Sequence, residues 1–146
     1  MPYLDNFSEN WTAKEARHLL KRTSFGITEM LVSEAVSLGL SGTIDQLFEQ
    51  SPLPEPPLKY RLDGTGDDEI IDPDANYGET WINGLPIPTA ASNQEKNKIL
   101  NSRTRSLYAW SFLQMQNAGI SIREKLTLFW HNHFVAENVN PHREFF

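Results

Sequence analysis

Residues 12–26 read TAKEARHLLKRTSFG, and they carry the clearest helix signal of the chain. The first four form a capping box: the hydroxyl of Thr12 can accept a hydrogen bond from the amide three residues on, and Glu15 can reach back. Ala16 and Leu20 then follow at helical spacing on one side. Gly26 can end the helix, because glycine readily adopts the left-handed conformation that closes many helices. The stretch predicts a helix near 13–23.

Similar start and stop signals predict four more helices further along the chain. Thr28, Ser41 and Asn93 can each cap a helix, and Ser121-Ile122-Arg123-Glu124 is a second capping box. Gly39 is a natural stop after the second helix. The further helices are predicted near 29–38, 42–50, 94–117 and 122–134. With the first helix, they give an all-α fold of about five helices.

A long irregular segment, residues 51–92, separates the third predicted helix from the fourth. It contains seven of the nine prolines, and no Lys or Arg occurs between Leu62 and Glu95. Seven carboxylates lie in the same stretch. We expect a surface loop that contributes little core, because charge is costly to bury without partners. An Asn-Gly pair at 83–84 suits a tight hairpin turn within it.

Composition limits the class of protein. The chain has 146 residues, 39 % of them apolar, which suits a single helical domain, 1–146, with a real core. It has no cysteine, so a disulfide framework and a thiolate metal site are excluded. The net charge is −6, and the seven carboxylates between Leu62 and Glu95 alone contribute seven negative charges. The remainder is therefore close to neutral and lacks the basic face of a nucleic-acid binder.

The termini and the hydropathy pattern bear on location. The N-terminus has no basic start followed by an apolar run, so no signal peptide is visible. No stretch approaches the ~20 apolar residues that span a bilayer. We expect a soluble protein without a membrane span, cytoplasmic if this N-terminus is native.

Three polar residues on predicted helices are candidates for a site. His18 and Arg22 lie one turn apart, away from the Leu20 side, and together they can grip a carboxylate or a phosphate. Arg103 falls inside the apolar stripe of the fourth helix, where it must either extend to solvent or meet a buried acid. A structural ion pair is the favoured interpretation for all three.

The string Phe129-Trp130-His131-Asn132-His133-Phe134 is the most unusual of the chain. Two histidines at i and i+2 share one face of a strand but point about 200° apart on a helix. The preceding capping box favours a helix, so we expect no metal ion held jointly by His131 and His133. Instead, His133 is predicted to be buried beside Phe129, and His131 to face the other way.

The acidic segment contains Asp72-Pro73-Asp74-Ala75-Asn76-Tyr77-Gly78, which approaches a calcium-loop pattern. A twelve-residue EF-hand loop has glycine at position six and glutamate at position twelve. Counted from Asp72, the glycine here is at position seven and Asn83 is at position twelve, so an EF-hand is not expected. A loose calcium site in this oxygen-rich loop is the alternative to a solvated loop. No other cofactor is predicted.

Two stretches resemble a known family. They are Ala16-Arg17-His18-Leu19-Leu20-Lys21-Arg22 leading to Phe25-Gly26, and Arg123-Glu124-Lys125 leading to the string that contains His131 and His133. The chain resembles the bacterial family catalogued as domain of unknown function 1800. In that family, the motifs lie in the N-terminal part of proteins several hundred residues long. The resemblance implies a longer protein and supplies no mechanism.

Two functional hypotheses follow. The favoured one is a helical binding or assembly region of a larger bacterial protein, because no complete catalytic constellation is present. Its partner would be a missing C-terminal region or another protein chain, including a homo-oligomer through residues 126–146. The alternative is part of an enzyme whose active site is completed by absent C-terminal residues, using His131 or His133 with Arg22 or Arg103. Convergence of three or more of the candidate residues on one cleft would favour the enzyme.

Overall fold

The structure is a computed structural model that describes residues 10–49, 52–60, 72–84 and 92–134. Within these ranges the chain forms helices and no strand, which confirms the all-α prediction. The helices are α1 (Ala13–Thr23), α2 (Glu29–Leu47), α3 (Asn93–Gln116) and α4 (Arg123–His133). In the described ranges, none of them has the length and apolar character that crossing a membrane requires.

The chain divides into two compact units. Unit 1 comprises Met1–Ser51 with Met115–His133, and unit 2 comprises Pro52–Gln114 with Phe134–Phe146. Unit 1 therefore contains α1, α2 and α4. Unit 2 contains most of α3 together with the Pro-rich and acidic segment. Each candidate residue can be placed within one of these units.

Helix α1 begins and ends where the sequence predicts. Thr12 has extended backbone angles and accepts from the amide of Lys14 at 3.3 Å, while its own hydroxyl donates to the carboxylate of Glu15. At the other end, the amide of Ser24 donates to the carbonyl of Leu20 at 2.9 Å. The capping box thus fixes the first turn, although Glu15 binds the Thr12 hydroxyl rather than its amide.

Helix α2 contains the break that the sequence predicts between helices at 29–38 and 42–50. The backbone at Gly39 is not helical, with φ 73° and ψ 174°, so two helical parts meet at a kink, and the second ends at Leu47 rather than near residue 50. The hydroxyl of Thr43 lies 2.9 Å from the carbonyl of Ala35 and 2.7 Å from that of Gly39. The kink leaves carbonyl groups without an intrahelical donor, and this buried hydroxyl supplies one.

The two later helices begin close to the predicted positions. For α3 the cap is Ser92 rather than Asn93: the hydroxyl of Ser92 accepts from the amide of Glu95 at 3.3 Å, and its amide donates back to the Glu95 carboxylate at 2.8 Å. Because Ser92 is the capping residue, Asn93 is the first residue of the helix. For α4, Ser121 accepts from the amide of Arg123 at 3.3 Å, as a cap should.

The core of unit 1 lies between α1, α2 and the chain before α4. Its buried residues come from all three parts: Ala16, Leu20, Val32, Ala35, Leu47 and Ile120. Trp11 closes one side by donating its indole N–H to the carbonyl of Ala35 at 2.9 Å. The amide of Ile122 donates to the carbonyl of Leu47 at 3.2 Å, which fixes the start of α4 against α2.

The expectation that segment 51–92 contributes little core is wrong for the part that the structure describes in unit 2. Lys59, Asp72, Ala75 and Trp81 are all buried, with at most 7 % of each residue exposed. Residues 81–84 form a turn closed by the amide of Gly84 and the carbonyl of Trp81 at 2.9 Å, and the rest of the predicted hairpin falls on residues that are not described. The side chain of Asp72 can be buried because α3 places the cation of Arg103 beside it.

Candidate functional site

Arg103 forms the centre of a buried ion cluster in unit 2. Only 4 % of the residue is exposed. Its Nε donates to Oδ2 of Asp72 at 2.8 Å, and its Nη2 donates to Oδ1 of Asp72 at 2.7 Å and to Oδ2 of Asp74 at 2.6 Å. This fork of bonds is the geometry that suits guanidinium and carboxylate groups best. The predicted structural pairing of Arg103 is thus observed.

Lys59 adds a second buried cation to the same cluster. Its Nζ lies 3.7 Å from Oδ2 of Asp72, 3.4 Å from the carbonyl of Ala75 and 5.0 Å from the ring centroid of Tyr77. Two further hydrogen bonds hold its backbone, since its amide donates to the carbonyl of Glu79 and its carbonyl accepts from Gly78, both at 2.8 Å. Through these contacts, the chain around Lys59 and the chain around Asp72 are both attached to α3.

The cluster lowers the pKa of Asp72. Burial by itself would raise that pKa, but the hydrogen bonds from Arg103 and from the amide of Asp74, with the charges of Arg103 and Lys59, outweigh the burial. For Arg103, burial would lower the pKa, and its bonds to Asp72 and Asp74 raise it instead. Both groups are therefore held in their charged forms.

A stability prediction follows from the lowered pKa of Asp72. A carboxylate whose pKa is depressed in the folded state contributes stability above its unfolded pKa, and that contribution is lost as the pH falls through the folded value. The free energy of urea unfolding should therefore drop as the pH is lowered from the ordinary aspartate pKa of 3.8. Asp72→Asn should flatten this drop, and equal slopes in both proteins would contradict the assignment.

The calcium expectation rests on side chains that have other partners in the structure. Asp72 and Asp74 both direct carboxylate oxygens at Arg103. In the part of the chain that the structure describes, no group of three or more His, Asp or Glu side chains is arranged to hold a metal ion. A calcium site that uses these two aspartates would have to displace a bound guanidinium, so the geometry gives it no support.

His18 and Arg22 line an open groove that runs along α1 in unit 1. The groove has a volume of about 900 Å³. Three further cations from the same helix also line it, namely Lys14, Arg17 and Lys21. Arg17 is bound by Glu29 through two hydrogen bonds of 2.6 and 2.8 Å. The predicted pair thus lies in a larger basic surface, which we call the α1 groove.

Helix α4 exposes its apolar side. None of its residues is buried. Leu126, Phe129, Trp130 and His133 recur at helical spacing, and 56 % of Phe129 is exposed. We call these four residues the α4 face. Exposed apolar surfaces of this kind are typical of interaction sites.

For the two histidines of α4, the predicted orientation is confirmed and the predicted burial of His133 is wrong. The helix runs through His133, so the two imidazoles leave it about 200° apart, as expected. His133 also stacks on Phe129, with centroids 6.1 Å apart and planes 8° from parallel. It is exposed rather than buried, however, because the described part of unit 1 does not cover this face.

The five candidate residues are distributed over three places. His18 and Arg22 share the α1 groove, Arg103 is buried with Asp72 and Asp74, and the two histidines are exposed on α4. Two of the five, His18 and Arg22, therefore line one cleft. Asp72 and Asp74 could not be identified from the sequence as partners of Arg103, because pairs separated by 31 and 29 residues leave no periodic signal. The same holds for Lys59 as a partner of Asp72.

Comparison with known proteins adds a family. A family model described as "Protein of unknown function (DUF1800)" matches residues 18–144, which is most of the chain. No curated protein and no solved structure matches the chain.

Proposed function

The chain belongs to the family of domain of unknown function 1800, and we propose that it serves as a binding or assembly region of a larger protein. The contact surface in this proposal is the α4 face. The single observation that supports it most is the exposure of Phe129 and its apolar neighbours on a helix with no buried residue.

The way in which α4 is attached supports this use. Its start is fixed to unit 1, through Ile120 in the core and the bond from the amide of Ile122 to Leu47. Lys125 also lies over the ring of Phe25, 4.4 Å from its centroid. The helix is therefore held at one end, while the side chains from Leu126 onward are presented outward. Aromatic side chains on a rigid helix are favourable contact residues, because little conformational entropy is lost when they bind.

The occupant that we propose for the α4 face is a second copy of the chain. The face contains no Lys, Arg, Asp or Glu, so two copies can approach without like-charge repulsion. An apolar face is also complementary to itself, as a two-fold symmetric contact requires. A C-terminal region of a longer protein, or another protein chain, is the competing occupant.

Sedimentation velocity tests the self-association. The wild-type chain should show concentration-dependent dimerisation, and Phe129→Asp should weaken it by about tenfold or more, since central aromatic contacts contribute about 2 kcal/mol or more. Because Phe129 is exposed, the substitution should leave the helical circular dichroism spectrum unchanged.

Met30→Asp is the matched control. Met30 is also an exposed apolar residue, 75 % exposed, but it lies on α2. It should dimerise like the wild type. A wild-type chain that stays monomeric at every concentration would contradict the second copy as occupant and favour a different protein surface.

The enzymatic alternative uses His131 or His133 with Arg22 or Arg103. The geometry favours it less, because Arg103 is 4 % exposed and donates its hydrogen bonds to Asp72 and Asp74. It would become the favoured hypothesis if a substrate protected both α4 histidines and Arg22 from chemical modification.

A further inference from the structure

We propose that the α1 groove binds a small amphipathic anion, a molecule with a carboxylate or phosphate head and an apolar body. This site is separate from the α4 face and does not depend on the proposed assembly. The proposal rests on the charge of the groove, on the pairing of its cations and on the apolar residues beside them.

The groove is strongly biased toward positive charge. Lys14, Arg17, Lys21 and Arg22 line it together with His18, whereas Glu15 is the one carboxylate among its described lining residues. Glu15 already binds the hydroxyl of Thr12 and lies 3.7 Å from Lys14. An anion entering the groove therefore meets cations at successive turns of one helix, spaced i, i+3, i+7 and i+8.

Not all of these cations are neutralised. Arg17 is bound by Glu29, and Lys14 lies near Glu15. His18, Lys21 and Arg22 are exposed, and they make no ion pair or side-chain hydrogen bond to any residue that the structure describes. His18 and Arg22 are one helical turn apart, so both can donate to one anionic group. These three residues form the head-group end of the proposed site.

Apolar side chains provide the other part of the site. Trp11, Leu19 and Leu40 line the same groove and are only partly buried by the protein. The indole N–H of Trp11 is already used by the carbonyl of Ala35, so its ring contributes an apolar surface rather than a donor. A volume of about 900 Å³ leaves room for an alkyl or aromatic body beside the head group. Inorganic phosphate alone would leave these residues unused.

Isothermal titration calorimetry with octyl phosphate, kept below its micelle concentration, tests the site. The wild type should bind octyl phosphate at least about tenfold more tightly than inorganic phosphate or 1-octanol, because only octyl phosphate uses both parts of the groove. Arg22→Glu should weaken binding by about tenfold or more, and Arg22→Gln by a smaller factor, since a charge-assisted hydrogen bond is lost in both.

Lys98→Glu is the matched control, because Lys98 is an exposed cation of α3 and the substitution changes the net charge equally. It should leave the affinity unchanged. Absence of octyl phosphate binding by the wild type would overturn the proposal. Equal weakening by Arg22→Glu and Lys98→Glu would also overturn it, as would 1-octanol binding as tightly as octyl phosphate.

Discussion

Replacing Arg103 with methionine is expected to lower the free energy of unfolding by about 3–5 kcal/mol, because it leaves buried carboxylates without their main cation. Asp72 would keep the bond from the amide of Asp74 and the charge of Lys59, whose Nζ is 3.7 Å from the carboxylate, and Asp74 would lose the bond of 2.6 Å that it accepts from Arg103. Methionine roughly preserves the length of the side chain, so the loss reports on charge and hydrogen bonding more than on volume. Urea unfolding followed by circular dichroism measures the change.

Two further variants control the interpretation of Arg103→Met. Lys98→Met removes an exposed cation from the same helix and should change stability by no more than about 0.5 kcal/mol. The double variant Arg103→Met with Asp72→Asn should be less destabilised than the two single variants predict together, because each removes the partner of the other. If Arg103→Met behaved like Lys98→Met, the cluster would not hold the acidic segment.

Leu20→Ala should lower the free energy of unfolding of unit 1 by about 2–5 kcal/mol. Leu20 is 1 % exposed and lies among the core residues that α1, α2 and Ile120 share. The shortened side chain loses its transfer free energy and leaves a cavity that neighbouring side chains fill only in part. Chemical denaturation with a probe of helix content measures the effect.

Leu53→Ala provides the matched control for Leu20→Ala. Leu53 is 88 % exposed, so the same chemical change there should cost no more than about 0.5 kcal/mol. Equal effects at the two positions would show that Leu20 does not lie in a packed core.

Local signals account for most of the fold that the sequence predicts. Thr12, Thr28 and Ser121 each accept a hydrogen bond from an amide of the helix that follows, and the predicted ends of α1 coincide with those observed. These contacts join residues two or three positions apart, so a single sequence contains all the information that they need. The break at Gly39 also follows from the sequence, whereas the bonds from the Thr43 hydroxyl to the carbonyls of Ala35 and Gly39 depend on side-chain geometry.

Long-range contacts account for what the sequence did not predict. The position of Arg103 inside an apolar stripe indicated a buried acid, yet nothing local indicated that Asp72 and Asp74 would be that acid or that Lys59 would join them. The exposure of His133 was missed for a similar reason. A helix pattern indicates which residues share a face, but it does not indicate whether another element covers that face.

Single-cysteine crosslinking tests the proposed assembly most directly. Because the chain contains no cysteine, a single introduced thiol can crosslink only to another copy. Leu126→Cys places this thiol on the α4 face, and His131→Cys places it on the same exposed helix but on the other side. With a short bismaleimide reagent, we predict a covalent dimer for Leu126→Cys and monomer for His131→Cys. Equal crosslinking of the two variants, or none of either, would contradict assembly through the α4 face.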